Sequence, residues 1–381
     1  MRSTGFLIFF SIVLFIYGSV NYYLFARGLQ AFALSQPMKR WYIAIFWVVV
    51  SMFIVGNVLE RTATSVFSEW IYRIGAFWMA FMLYLFIALV LIDVVRILNY
   101  FFHFLPPFTP LMRFRLGIIV FSLAALVVAG GYINALWTNV KVIPLTIHKK
   151  VSGPQEVKIL MASDLHLGAL IGERREKHLL ELIQQQKPDL VLLCGDLVDG
   201  DIAPVLRKNL GRHIQEIKTP MGVYAITGNH EFIGGINKTL PYLRSINIRM
   251  LLDETITLPN GIQLVGRIDR AGSRGPNTLK SLNQLMAGID TLKPIIVMNH
   301  QPVNLKEASD AKVDLHLSGH THNGQMWPFN YITQAVYELS WGLRKVGTTN
   351  FYVSSGYGSW GPPVRSGNRP EVVIFNLKFD Q

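Results

Sequence analysis

The 381-residue sequence predicts two architectures in one chain, four membrane-spanning helices followed by an α/β domain with helical cover on a mixed sheet. Three observations predict this. Hydrophobic residues make up 51% of the chain and charged residues only 16%, which is too apolar for an ordinary soluble enzyme. The apolar excess is concentrated before residue 140. From about residue 150, short apolar runs alternate with helical periodicity, the pattern of a sheet with packed helices.

The four apolar segments lie at roughly 5–25, 41–59, 74–95 and 115–136, each close to the roughly 20 residues that cross a bilayer. The first follows Arg2 and resembles a signal peptide's apolar region. It lacks a small-x-small cleavage site and three further spans follow, so a retained helix is expected. Asp93 falls near the end of the third span beside Arg96. An interfacial ion pair is the ordinary expectation, and a functional intramembrane acid the sharper one. Pro106, Pro107 and Pro110 break the chain before the fourth span, while Trp41, Trp70, Trp78 and Trp137 near span ends suit an aromatic belt.

The net charge of +12 divides evenly, since residues 1–140 carry nine Lys/Arg against three Asp/Glu. A basic membrane half suits lipid headgroups, and the bilayer is the expected partner. No basic block is interleaved with aromatics, so nucleic acid is not expected. The short loops give orientation. Arg27, Lys39, Arg40, Arg96, Arg113 and Arg115 flank the first and third loops, against Arg2, Arg61, Arg73 and Lys141 on the other side. The excess puts the first and third loops in the cytoplasm, and both termini with the following domain outside. The sequence leaves the oligomeric state open. Cys194, the one cysteine, allows no intrachain disulfide and reads as a buried core residue.

The organisation expected is a membrane domain over 1–140, a linker over 141–156 punctuated by Ser152-Gly153-Pro154, and a second domain over 157–381. Strand-like runs in that domain are Val157–Ala162, Leu190–Leu193, Val223–Ile226, Gln263–Val265, Ile295–Met298, Leu315–Leu317, Phe351–Val353 and Val372–Leu377. Glu173–Gln186 and Val205–Ile217 have helical spacing, as does Tyr331–Val346, read as a helix packed on the sheet or as an acyl-binding lid.

The strand ends carry the chemistry. Asp164 and His166 follow the first run, Asp196 and Asp199 the second, and Asn229, His230 and Glu231 the third. His300 follows the run at 295–298, and His320 and His322 follow that at 315–317. Five of the ten histidines therefore sit at strand ends, where α/β proteins build sites. Oxygen and imidazole donors without a thiolate suit Mn, Fe or Zn, and there are enough for two ions if one carboxylate bridges them. His178 and His213 read as solvent-facing helix residues, and His316 as core or supporting. Asp269 and Arg270 are equally readable as cleft-lining or as plain loop.

The ordered set DxH, GDxxD, GNHE, H and GHTH over about 155–380 resembles the calcineurin-like metallophosphoesterase family. GHTHNGQ, YVSSGYG, Arg365 and RPEVVIFNL further resemble its bacterial membrane-associated subgroup. The resemblance implies a metallophosphoesterase-type β-sandwich flanked by helices. It implies that Asp164, His166 and His322 bind one divalent ion, that Asn229, His300 and His320 bind a second, and that Asp196 bridges both. Manganese is the expected metal, with iron or zinc as alternatives. It further implies attack by a metal-bridging hydroxide, with His230 as acid and oxyanion stabiliser and Asp199 or Glu231 orienting the histidines. Arg365 is expected to hold phosphate. Asn323, where the subgroup usually has glycine, is expected to face the substrate.

The function expected is a membrane-anchored phosphoesterase acting on phosphomonoester, phosphodiester or pyrophosphate bonds. About twenty residues separate Trp137 from Val157, which favours a lipid-linked substrate. The alternatives are a phosphoesterase for soluble nucleotides and a non-catalytic metal-binding membrane scaffold or sensor; an incomplete donor set would have favoured the last.

Overall fold

The computed structural model describes residues 2–274 and 279–380; Met1 and Gln381, the outer ends of the expected domains, lie outside that range. The chain divides into two compact units, Met1–Gly131 and Tyr132–Gln381.

The first unit is built from α1 (Arg2–Phe32), α2 (Gln36–Thr62), α3 (Val66–Phe102) and the body of α4 (Pro110–Leu136). All four helices are long and apolar enough to cross a membrane. Each runs past the span read from sequence, because helical geometry continues into the flanking polar turns; α3 reaches 37 residues. A polar thread ties three of them together. Trp78 Nε1 donates to Asn21 Oδ1 at 2.9 Å, and Tyr17 Oη donates to the Val50 carbonyl at 2.8 Å. Asn21 is fully buried, as expected for a polar side chain that must find its partners inside a helix bundle.

In the second unit the strands are β1 (Asn139–Ile147), β2 (Glu156–Ala162), β3 (Leu190–Cys194), β4 (Val223–Ile226), β5 (Arg249–Met250) and β6 (Glu254–Thr257). They continue as β7 (Gln263–Gly266), β8 (Ile295–Met298), β9 (Leu315–Ser318), β10 (Gly342–Val346), β11 (Thr349–Val353) and β12 (Glu371–Phe379). They form two six-stranded sheets, ordered β1-β12-β2-β3-β4-β5 and β10-β11-β9-β8-β7-β6. The neighbours β2, β3 and β4 run parallel, as do β7, β8, β9 and β11.

One apolar cluster, including Ile159, Leu192, Leu264, Met298, Leu317 and Phe375, draws on strands of both sheets and forms the middle of a sandwich. A second cluster joins the first sheet to α5 (Glu173–Gln186), through Leu179 and Ile183 against Leu160 and Val191. A third joins the second sheet to α10 (Leu282–Met286) and α11 (Leu305–Asp310). The fold is thus the helix-flanked β-sandwich, in which the parallel strands are buried on both faces and read as continuous apolar runs.

Three local expectations are corrected. The stretch read as a linker, 141–156, holds most of β1, which pairs with β12 from Asn139↔Glu371 to Ile147↔Phe379. The helical run at 205–217 is two short helices, α6 (Ala203–Lys208) and α7 (Arg212–Gln215), because the backbone turns left-handed at Asn209 (φ 51°). Beyond α8 (Asn229–Ile233) and α9 (Ile236–Ser245), the helix expected over 331–346 stops early. It is α12 (Phe329–Val336), after which residues 342–346 pair with β11 as a strand, and no residue of α12 is buried.

Candidate metal centre

Five parallel strands, β2, β3, β4, β8 and β9, end at one edge of the sandwich, and the residues just past them converge. Asp164, His166 and His322 come within ligand distance of one another, as do Asp196, His300 and His320. The backbone bends sharply to achieve this. Asp164, His166, Asp196, His320 and His322 all have φ between 48° and 72°, the left-handed region that non-glycine residues avoid. Strain of that kind costs on the order of 1–3 kcal/mol per residue and persists where surrounding structure over-determines it. At Asp196 the support is Glu231, fully buried, whose carboxylate accepts N–H bonds from Asp196, Leu197, Val198 and Gly228 at 2.6–3.2 Å. Glu231, one of the two expected orienters, therefore braces the loops after β3 and β4. Close approach needs glycine as well. A methyl group at Gly319 would lie 2.4 Å from Asp164 Oδ2, and one at Gly228 would lie 2.1 Å from Asp196 Oδ1.

In the first group, His166 Nε2 and His322 Nε2 are 3.0 Å apart, and His322 Nε2 is 3.5 Å from Asp164 Oδ1. One divalent ion with bonds of about 2.1 Å can reach all three. In the second group, His300 Nδ1 is 2.7 Å from the Cys194 carbonyl, which fixes the donor there and turns Nε2 toward Asp196 Oδ2 at 3.1 Å. His166 Nε2 lies 3.9 Å from that same Oδ2, so the Asp196 oxygen stands between the two groups. Asn229 Oδ1 and His300 Nε2 are buried without a hydrogen-bond partner. Orphaned buried polar atoms are costly, and a cation shared with Asp196 would satisfy both. The donors present thus fit a two-ion centre.

Electrostatics agree. Burial disfavours a charged His300, but Asp196 and Asp164 outweigh it and push the imidazole well above its ordinary value. Burial likewise works against an ionised Asp196, yet His300, His230 and His166 hold it well below the carboxylate range. The two side chains face each other at 3.1 Å, at a position a divalent ion could take over. Burial keeps Asp164 above its usual value despite His300. His322 and His320 are kept neutral, the ligand form of imidazole, chiefly by burial; His320 falls to about 3.

His230 and Asp199 form a third group with His166. Asp199 Oδ1 is 3.2 Å from His230 Nδ1 and 3.3 Å from His166 Nδ1, so one carboxylate orients both rings. Burial opposes the charge on His230, but the Asp199 hydrogen bond and the nearby acids raise it to about 9. The same two histidines hold Asp199 far below the ordinary range despite its burial.

Two substrate expectations fare differently. Arg365 is fully buried, and its guanidinium donates to the Gly358 carbonyl at 2.6 Å, the Gly356 carbonyl at 3.3 Å and Asn368 Oδ1 at 2.5 Å. It also lies 3.2 Å from His322 Nδ1. With its donors spent inside the protein it supports the loop behind His322, and it is unavailable to a substrate phosphate. Asn323 is buried with φ 45° and ψ 41°, a conformation asparagine tolerates better than most residues, and its Oδ1 has no partner. Sequence reasoning left Arg270 undecided. It is exposed and close enough to His320 to help depress that ring's pKa after burial and His300. Asp269 is buried and accepts two bonds from Gln301 Nε2, at 2.8 and 3.0 Å, beside His300. His316 is a core residue against Phe351, and Cys194 is buried.

The calcineurin-like phosphoesterase family pattern matches residues 157–324. An uncharacterized metallophosphoesterase of Aquifex aeolicus (strain VF5) is 32% identical over 259 residues, covering 67% of this chain and 98% of that protein. One from Campylobacter jejuni subsp. jejuni is 32% identical over 379 residues, covering 98% of this chain and 99% of its own. A Bos taurus protein named transmembrane protein with metallophosphoesterase domain is 29% identical over 70% of this chain, which spans 63% of that relative's length. Similarity that extends over nearly the whole of two metallophosphoesterases, on donors brought together at one sandwich edge, makes this membrane protein a member of the calcineurin-like phosphoesterase family and a metal-dependent phosphoric ester hydrolase.

Proposed function

We propose that the chain hydrolyses a lipid-linked phosphate ester, a phosphodiester or pyrophosphate above all, with two divalent ions and manganese as the preferred metal. The observation that carries the substrate class is the apolar rim of the centre. Trp360 is 59% exposed with its ring 6.5 Å from that of His230, and Tyr337 packs at 6.0 Å from His320. Beside them α12 leaves Ile332 56% and Val336 68% exposed. Exposed apolar residues gathered at a polar centre suit a ligand with a charged head and a hydrocarbon tail.

Asp164, His166 and His322 would hold one ion, Asn229, His300 and His320 the other, and Asp196 would contact both. When bound, such ions acidify water and neutralise phosphoryl charge. The protein's own part is positioning. Asp199 holds His230 by Nδ1, which leaves Nε2 to keep a proton against a departing oxygen. Arg270 offers the exposed positive charge for the phosphate that Arg365 does not.

With manganese, kcat/KM for a long-chain acylated phosphodiester should exceed that of its short-chain analogue by about tenfold or more, since each buried methylene contributes about 0.8 kcal/mol. Trp360→Ala combined with Ile332→Ser should shrink that ratio and leave a generic aryl phosphodiester unaffected. Equal kcat/KM for both chain lengths would remove the lipid reading and favour soluble nucleotides. For sidedness we propose an extracytoplasmic catalytic domain, supported by the basic residues flanking the first and third loops. A C-terminal reporter that is active only outside the cytoplasm should report activity, and a silent reporter beside an active cytoplasmic one would reverse the orientation.

A further inference from the structure

The membrane unit contains a charged cavity that the hydrolytic centre does not use. It measures about 90 Å³ and lies among the end of α1, the end of α3 and the start of α4. Three guanidinium groups line it, those of Arg27, Arg96 and Arg113, against one carboxylate, Asp93.

Asp93 is already satisfied. Arg27 Nη2 and Tyr23 Oη both donate to its Oδ2, the latter at 2.7 Å, and Arg96 donates to Oδ1 at 3.3 Å. Arg27 also donates to Gln30 Oε1 at 3.0 Å. The Arg113 side chain makes no hydrogen bond or ion pair among the described residues. The cavity therefore carries two positive charges beyond what Asp93 neutralises, at the end of helices built to cross a bilayer. Charge in such a position calls for a counter-charge. The remaining wall is apolar, with Leu89 and Leu116 on it.

We infer that this cavity binds the phosphate headgroup of an anionic phospholipid. Basic pockets between transmembrane helices take lipid phosphates because arginine pairs with them bidentately while the acyl chains lie along the neighbouring helices. Arg27 stays on Asp93 and fixes the floor; Arg113 and Arg96 close on the headgroup. This inference rests on the membrane unit alone and is independent of the lipid-substrate reading.

The test uses the full chain in detergent with an equimolar mixture of phosphatidylglycerol and phosphatidylcholine, retained lipid being read by native mass spectrometry. The wild type should retain phosphatidylglycerol about fivefold over phosphatidylcholine, the preference that about 1 kcal/mol from Arg113, the one lining arginine without a partner among the described residues, gives. Arg113→Gln should lose that preference and keep its fold and aryl phosphodiesterase activity. Arg115→Gln removes the same charge from an exposed position outside the cavity and should retain the preference. Arg96→Gln provides a second reading with Arg27 still paired to Asp93. Equal retention of both lipids by the wild type, or equal loss in Arg113→Gln and Arg115→Gln, would overturn the site. So would displacement of the lipid by about 10 mM inorganic phosphate, which would make the cavity a simple anion site.

Discussion

Asp196→Ala should lower kcat/KM toward an aryl phosphodiester by about a thousandfold or more, a loss of about 4 kcal/mol of transition-state stabilisation. The size follows from position. Asp196 is 2% exposed, its Oδ2 stands 3.1 Å from His300 Nε2 and 3.9 Å from His166 Nε2, and its Oδ1 accepts the His230 N–H at 2.8 Å. Removing it takes away a carboxylate oxygen within 3.9 Å of a histidine in each ligand group and leaves a histidine-lined cleft with less negative charge to draw two dications together. Bound metal should fall below two ions per chain by elemental analysis while the thermal transition of the fold persists. Asp196→Asn keeps the shape and loses the charge, so it should fall between the two. Wild-type kcat/KM in Asp196→Ala at full metal would sink the two-ion centre.

The site was legible because its strands are parallel and buried on both faces. Each appears as an apolar run, broken only by Lys158 in β2 and His316 in β9, and each run ends where the polar donors begin, so Val157–Ala162 announces Asp164 and Ile295–Met298 announces His300. What stayed hidden had local patterns that pointed elsewhere. β1 has mixed burial, with Lys141 and Pro144 in it, because it lies at the edge of its sheet, where charge and proline are tolerated. Residues 342–346 have helical spacing with their neighbours, yet unmet backbone groups along β11 recruit them as a strand, a long-range effect no window of sequence contains. Arg365 is expected at the phosphate only through the motif resemblance, and its burial is not legible because an arginine is almost never fully buried without an acid. Here backbone carbonyls and Asn368 take the acid's place, and only the folded loop reveals that. Glu231 was legible as a helper but not as a brace, since its partners are four backbone N–H groups.

His230→Ala should reduce kcat by about 10²- to 10⁴-fold, the range general acid–base groups contribute, while both ions stay bound. The ring touches the centre without completing it. Its Nδ1 is tied to Asp199, its ring stands edge-on to His166 with centroids 4.6 Å apart, and it lies beside exposed Trp360 at the mouth. Two roles fit that position, and leaving-group chemistry separates them. A proton donor matters most when the departing oxygen is a strong base, so the loss should be near the upper end for an alkyl ester and small for a nitrophenyl ester. An oxyanion stabiliser acts on the phosphoryl group itself, so its loss would be equal for both. Asp199→Asn should weaken the same step in the same direction and by less, because the ring remains but loses the carboxylate that orients and charges it. Elemental analysis on the same samples is decisive for the assignment. If metal content falls in step with kcat, His230 is a ligand and the acid must be sought elsewhere on the rim, with the hydroxyl of Tyr337, whose ring packs 6.0 Å from that of His320, as the candidate.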